Sequence, residues 1–187
     1  QVGAGTQTAL MICGGISPPT FPPYNNTSFE YDGTNWTAGG AMPQRGDYMD
    51  GVGVTTAAVI FGSTNSPSPN TLNTSLDYDG SAFSSNNNMN NNHGGQHSAC
   101  GTTTSALVAC GGAPYAASAK SEIYDGTSFV TNATTATSGQ RGGKGTSSPA
   151  SIVVGGYGGS PGTQFLTATE EYTVASTAVN AKTLTTS

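Results

Sequence analysis

The feature that most limits how this chain can fold is a repeat of about 48 residues, carried by three separate markers. An apolar run ending in a small pair occurs at Ala9-Leu10-Met11-Ile12-Cys13-Gly14-Gly15 and at Ala57-Ala58-Val59-Ile60-Phe61-Gly62-Ser63. It returns at Ala106-Leu107-Val108-Ala109-Cys110-Gly111-Gly112 and at Ser151-Ile152-Val153-Val154-Gly155-Gly156. Downstream stand Tyr31, Tyr78, Tyr124 and Tyr172, at intervals of 47, 46 and 48 residues. Asp-Gly follows the first three, and an aromatic (Trp36, Phe83, Phe129) comes five residues after each of them. Arg45-Gly46, His93-Gly94 and Arg141-Gly142 form the third marker, 48 residues apart. The markers divide one repeat domain, residues 1–187, into units 1–44, 45–92, 93–140 and 141–187.

Each unit reads as four short strands. Small alternating residues such as Met49 to Gly53 form the first, and a Gly-Thr turn leads into the apolar second strand. A loop of variable length precedes the strand ending in tyrosine, and Asp-Gly makes the turn into the fourth, which the aromatic opens. Ile12, Ile60, Val108 and Val153, with Cys13, Phe61, Cys110 and Val154, are expected on a protected central strand. No helical period is present. The chain carries 28 Thr, 21 Ser and 14 Asn against 8% charged residues, whereas helical bundles build their exposed faces from Glu, Lys and Arg. The expected fold is all-β: four antiparallel four-stranded units arranged as a β-propeller or propeller-like array.

The apolar strand, glycine pair, tyrosine and later aromatic resemble the kelch motif over nearly the whole chain. Gly3 to Ala9, Tyr31 to Thr37 and Ala168 to Tyr172 are similar to the kelch-like repeats in tail-fibre and other virion proteins of marine, especially cyanobacterial, bacteriophages. Val179 to Ser187 is similar to the way such arrays end. Unit two departs from the pattern with Gly62-Ser63, and unit four lacks both Asp-Gly and the aromatic. The resemblance implies a non-catalytic structural or adhesion module of a virion, the C-terminal part of a longer chain. Its implied partner is host-surface glycan or another virion protein, and its implied state is a homo-oligomer. A secreted bacterial lectin or surface-fibre subunit is a second reading, and a propeller-type carbohydrate-active enzyme a third. Four units leave three arrangements open: a closed four-bladed ring, part of a larger ring, or a ring completed between chains.

A net charge of −5 with five basic residues cannot neutralise many phosphates, which argues against nucleic acid as a partner. No apolar run exceeds the five residues of Ala9 to Cys13, so no membrane insertion is expected. Cys13 and Cys110 are read at the repeat position of Phe61 and Val154, that is, as core residues. Cys100 and Cys110 flank a hairpin and could face each other as a disulfide. His93 and His97 are spaced for a helix, but Gly94-Gly95 lies between them and no ligand cluster accompanies them. No metal or cofactor is therefore expected. Asp32, Asp79 and Asp125 are turn residues, and Glu30, Asp77 and Glu171 are placed on exposed strand faces. Asp47 and Asp50 come nearest to an acid pair, yet share one strand, so no catalytic residue is assigned.

Strand parity puts the first and third turns at one end of every blade, and the second turns and inter-blade connections at the other. The first set is short and uniform, while the second-turn distances are 16, 15, 12 and 16 residues. Asn86 to Asn92 adds a polar tract to the connections. The irregular end carries Phe21, Tyr24, Tyr115, Tyr157 and Phe165, which are the expected ligand-binding residues. Aromatic faces among amides and hydroxyls suit neutral sugars; the alternative role is to cap the blade ends.

Overall fold

Gly5, Gly53 and Gly101 stand 48 residues apart at the end of the first strand of their units, and each is required by the turn it enters. A Cβ at any of them would lie within 2.2 Å of a carbonyl oxygen on the returning strand. The chain folds back there at once, and two more antiparallel pairings complete the unit. A computed structural model of the chain describes residues 1–17, 24–65, 70–93, 95–112, 117–158, 164–175 and 178–183.

The architecture is a four-bladed β-propeller, with no helix among the described residues. Blade 1 is β1 (Val2–Thr6), β2 (Ala9–Cys13), β3 (Ser28–Tyr31) and β4 (Trp36–Ala38). Blade 2 is β5 (Asp50–Val54), β6 (Ala57–Asn65), β7 (Asn70–Tyr78) and β8 (Phe83–Ser85). Blade 3 is β9 (Ser98–Thr102), β10 (Ser105–Ala109), β11 (Ser121–Tyr124) and β12 (Phe129–Asn132). Blade 4 has β13 (Gln140–Ser147), β14 (Ala150–Gly158), β15 (Gln164–Phe165), β16 (Thr169–Ala175) and β17 (Ala178–Thr183), with β15 paired to the far end of β14. Each sheet runs in sequence order from its first strand to its last.

Strand β1 touches β5, β5 touches β9, and β9 touches β13; among the described residues no comparable contact joins β13 to β1. Three cores result, each shared by two blades. Val2, Ala4, Met11 and Cys13 of blade 1 pack with Ile60, Leu76 and Tyr78 of blade 2. Val52, Val59 and Phe61 of blade 2 meet Val108, Tyr124 and Phe129 of blade 3. Cys100, Leu107 and Ala109 of blade 3 meet Val153 and Tyr172 of blade 4.

The registers correct the reading of Cys110. Leu10 pairs with Tyr31 and Ala106 with Tyr124, so Cys13 corresponds to Ala109, and Cys110 corresponds to Gly14. Cys110 lies beyond β10 at φ 64°, where the other blades have Gly14, Gly62 and Gly155. A non-glycine there stores strain of about 1–3 kcal/mol. Cys100 faces Leu107, so it does not stand opposite Cys110, and all three cysteines are buried free thiols. Val154 is the second departure. It points away from blade 3 and is 41% exposed, and Ile12 is half-buried for the same reason on blade 1.

Phe61 is fully buried, with edge-to-face contacts to Tyr124 and Phe129 at centroid distances of 5.7 and 5.8 Å. Phe61→Ala should cost about 3–5 kcal/mol, because the cavity opens between two blades that cannot close onto it. Urea unfolding checks this: a lowered midpoint with an unchanged slope is expected.

Candidate functional site

The four blades build their second turns in four ways on one scaffold. In blade 1 the chain leaves β2 and makes a single bridge between Ile16 and Tyr24. In blade 2, β6 and β7 continue as a ladder to Asn65 and Asn70. In blade 3, Gly112 bridges both Gly95 and Ala117. In blade 4, β14 runs on to Gly158 and takes β15 as an extra partner.

That extra pairing makes the most accessible aromatic surface on the irregular end among the described residues. Tyr157 is opposite Phe165 across β14 and β15, and opposite Gln140 across β13 and β14. Directly opposed residues project from one face of a sheet, so Gln140, Tyr157 and Phe165 form a single cross-strand row. Tyr157 is 37% exposed and Phe165 84%. The row offers two ring faces beside a side-chain amide, which fits the apolar face and the hydroxyls of a neutral sugar. Of the expected binding residues, the structure brings together Tyr157 and Phe165. Tyr24 is half-buried on blade 1, at the other end of the array. Phe21 and Tyr115 lie outside the described residues.

The acids are committed elsewhere. Asp32, Asp79 and Asp125 each accept two backbone N–H bonds of 2.7–2.9 Å in the third turn, which holds their carboxyls below the ordinary value. Glu30 accepts from the Tyr78 hydroxyl of the next blade; burial, then this bond, pushes that phenol up to about 12. Asn86 donates to Asp77 and also to the Tyr124 hydroxyl of blade 3. The Glu30 and Asp77 positions are thus clamps between blades and not merely exposed strand faces. Asp50 accepts from the Ala99 amide at 2.7 Å, tying blade 2 to blade 3, and burial raises its carboxyl. Asp47 is buried beside Gln1, and its backbone pairs with Thr64. The two aspartates nearest to an acid pair therefore belong to different joints.

Two buried basic–acidic pairs repeat. His93 Nε2 lies 3.1 Å from Glu122, and its Nδ1 lies 3.0 Å from the Cys110 carbonyl. Arg141 donates to Glu170, and its Nε donates to the Gly155 carbonyl at 3.0 Å. Gly155 and Cys110 occupy one repeat position, as do Glu170 and Glu122. Blade 2 carries Leu76 where the acid would stand, and there Arg45 is exposed. His93 is thus a structural residue, and no group of three or more metal-ligating side chains occurs among the described residues.

The Asn tract also has a definite role. Backbone N–H groups of Asn90 and Asn91 donate to Glu122 at 2.8 and 2.6 Å, while the side chains of Asn87 and Asn90 reach carbonyls of Thr127 and Phe129. Ser28, Ser75 and Ser121 each donate to the carbonyl twelve residues on, at 2.6 Å. Ser-x-x-Tyr before each of the first three Asp-Gly turns was the signal for these serines.

No protein-family profile matches the sequence, and no curated protein matches it.

Burial pushes the Glu122 carboxyl up, but the bonds from His93 and the amides of Asn90 and Asn91 outweigh it and hold it below its ordinary 4.5. Its stabilisation is therefore complete above about pH 4.5 and is lost as the pH falls through the lower folded value. Glu122→Gln should cost about 1–3 kcal/mol near neutrality, and its gap from the unaltered protein should narrow in acid, measured as melting temperature against pH. Thiol chemistry gives a second check. Burial raises all three cysteines, Cys13 to about 12, so a thiol reagent should react slowly with the native chain and titrate three groups after denaturation.

Proposed function

We propose that the chain is a non-catalytic recognition module of a virion fibre or appendage, binding neutral host-surface glycan through the row Gln140, Tyr157 and Phe165. The observation that carries the reading is the exposed aromatic pair with its flanking amide, held on paired strands at the variable end of a rigid propeller. The kelch-like markers shared with bacteriophage fibre repeats support the virion setting. Against a carbohydrate-active enzyme stands the use of the carboxylates. Eight of the ten acids accept hydrogen bonds from side chains or backbone amides of the scaffold, and Asp47 and Asp50, the nearest to an acid pair, are held at different joints.

A glycan array probed with the chain, both as purified and displayed multivalently, tests the proposal. Tyr157→Ala and Phe165→Ala should each weaken binding by about tenfold, a loss of about 1.4 kcal/mol in contact, with melting unchanged. Thr6→Ala and Thr102→Ala, at the uniform end, should have no effect. Per-chain affinity should be low and recover on multivalent display. Equal losses from both ends, or no glycan bound in either format, would overturn the reading.

A further inference from the structure

Ala4, Val52, Cys100 and Lys144 hold one position of the repeat, on the innermost strands β1, β5, β9 and β13. Each is opposite a residue of the second strand (Met11, Val59, Leu107, Ile152) that in turn faces the residue before the tyrosine. Ala4, Val52 and Cys100 are buried in the cores between blades. The fourth is a lysine, and it is exposed. An ionised side chain cannot join an apolar core without a partner. Lys144 stands instead on the wall of a cavity of about 360 Å³ between the four innermost strands. Small-molecule sites span roughly 300–1,000 Å³, so the space is of the right size for one sugar residue.

The rest of the wall is backbone and small side chains. The Ala99 N–H is not used by the ladder to β10 and donates across to Asp50 at 2.7 Å, so the free edge of β9 is turned toward β5 and the cavity. Alternation within the ladder turns the N–H and C=O of Gly101 the same way, and register does so for Gly5 and Gly53. With no side chain at these glycines, a ligand can come close to their peptide groups. Lys144 is the one charged side chain among the described residues of the wall, and no described carboxylate lies within ion-pair distance of it. Asp50, an acid that its charge reaches, is already held by the amides of Gly51 and Ala99 at 2.8 and 2.7 Å.

We propose that this cavity binds a sugar acid of one residue, with its carboxylate on the Lys144 ammonium and its hydroxyls on the peptide groups of Gly5, Gly53 and Gly101. A carboxylate on an ammonium is a charge-assisted bond, stronger than one between neutral groups. A hydroxyl both donates and accepts, which matches strand edges that present N–H and C=O together. One cation selects one negative charge: a phosphate dianion would bring a second charge out of water with Asp50 nearby and nothing to pair it. The glycines lie where the innermost strands lead into the uniform turns, whereas Gln140, Tyr157 and Phe165 lie at the irregular end. The two sites are separate, and this one does not rest on the glycan reading of that row.

Glucuronate is the probe, followed by NMR through the backbone amides of Gly5, Gly53 and Gly101. These amides should shift and saturate at one glucuronate per chain, and should stay unmoved with glucose. Glucose 6-phosphate should bind more weakly than glucuronate. Lys144→Gln should weaken glucuronate by about tenfold or more, the scale of a hydrogen bond to a charged group, with melting unchanged because the side chain is exposed. Lys144→Arg should keep most of the binding. Arg45→Gln, which removes an exposed cation at the irregular end, and Tyr157→Ala should titrate as the unaltered protein does. Amides that do not respond to glucuronate overturn the proposal, as does a response that Lys144→Gln leaves intact. Tighter binding of glucose 6-phosphate overturns the assignment to a singly charged acid. Loss of glucuronate binding in Tyr157→Ala would also overturn it, because the two sites would then be one.

Discussion

The burial of each tyrosine in the blade before it is the contact on which the rest of the structure depends. A sheet of four short strands has one apolar face too many to be stable alone, and only a neighbouring sheet can cover it. Tyr78, Tyr124 and Tyr172 supply the bulk of that cover, and each hydroxyl must still find a partner at the outer edge of the preceding blade. Three solutions occur: a carboxylate at Glu30, an amide bridge through Asn86 to Asp77, and the hydroxyl of Ser121 at 3.4 Å. The joint is thus constant in its apolar part and variable in its polar part. This explains a chain rich in Thr, Ser and Asn and poor in charge. Short hydroxyls and amides reach backbone carbonyls in confined seams, as Ser28, Ser75 and Asn73 do, where a long ionised side chain would have to be desolvated.

The period was legible in the sequence because each unit meets the same neighbours and must keep the same residues for them. Turn chemistry was legible too, since Asp-Gly and the strand-end glycines act locally. Register was not. Ala-Leu-Met-Ile-Cys-Gly-Gly and Ala-Leu-Val-Ala-Cys-Gly-Gly agree at five of seven positions and align without a gap, yet hydrogen bonding shifts the second by one residue and moves Cys110 into a glycine position. A one-residue slip exchanges the two faces of a strand, and only the pairing with Tyr124 fixes which face holds Leu107. The role of the tract Asn86 to Asn92 was not legible either. Its composition resembles low-complexity linker, while its backbone amides and side chains clasp Glu122 and the carbonyls of β12 and its turn.

The candidate site was half legible. Exposed aromatics at the variable end followed from strand parity, but the grouping of Gln140 with Tyr157 and Phe165 depends on β14 running past the glycine pair to gather β15, which no local pattern announces. Glu122 and Glu170 escaped notice because each stands in the middle of an otherwise apolar face. Their partners explain why they can: His93 and Arg141 arrive from the connection between blades, His93 within hydrogen-bond reach of Glu122 and Arg141 donating to Glu170.

A propeller whose joints are unequal has a mechanical asymmetry. Among the described residues the seam between blades 1 and 4 lacks the strand contacts that join the other blades, so these two blades are its loose ends and opening begins there. The row of Gln140, Tyr157 and Phe165 belongs to one of those ends. It also straddles three strands of that blade, so a molecule gripped by all three would staple the sheet against fraying. Recognition and endurance are then coupled in one place: what the module holds would in turn hold the loose end of the module shut.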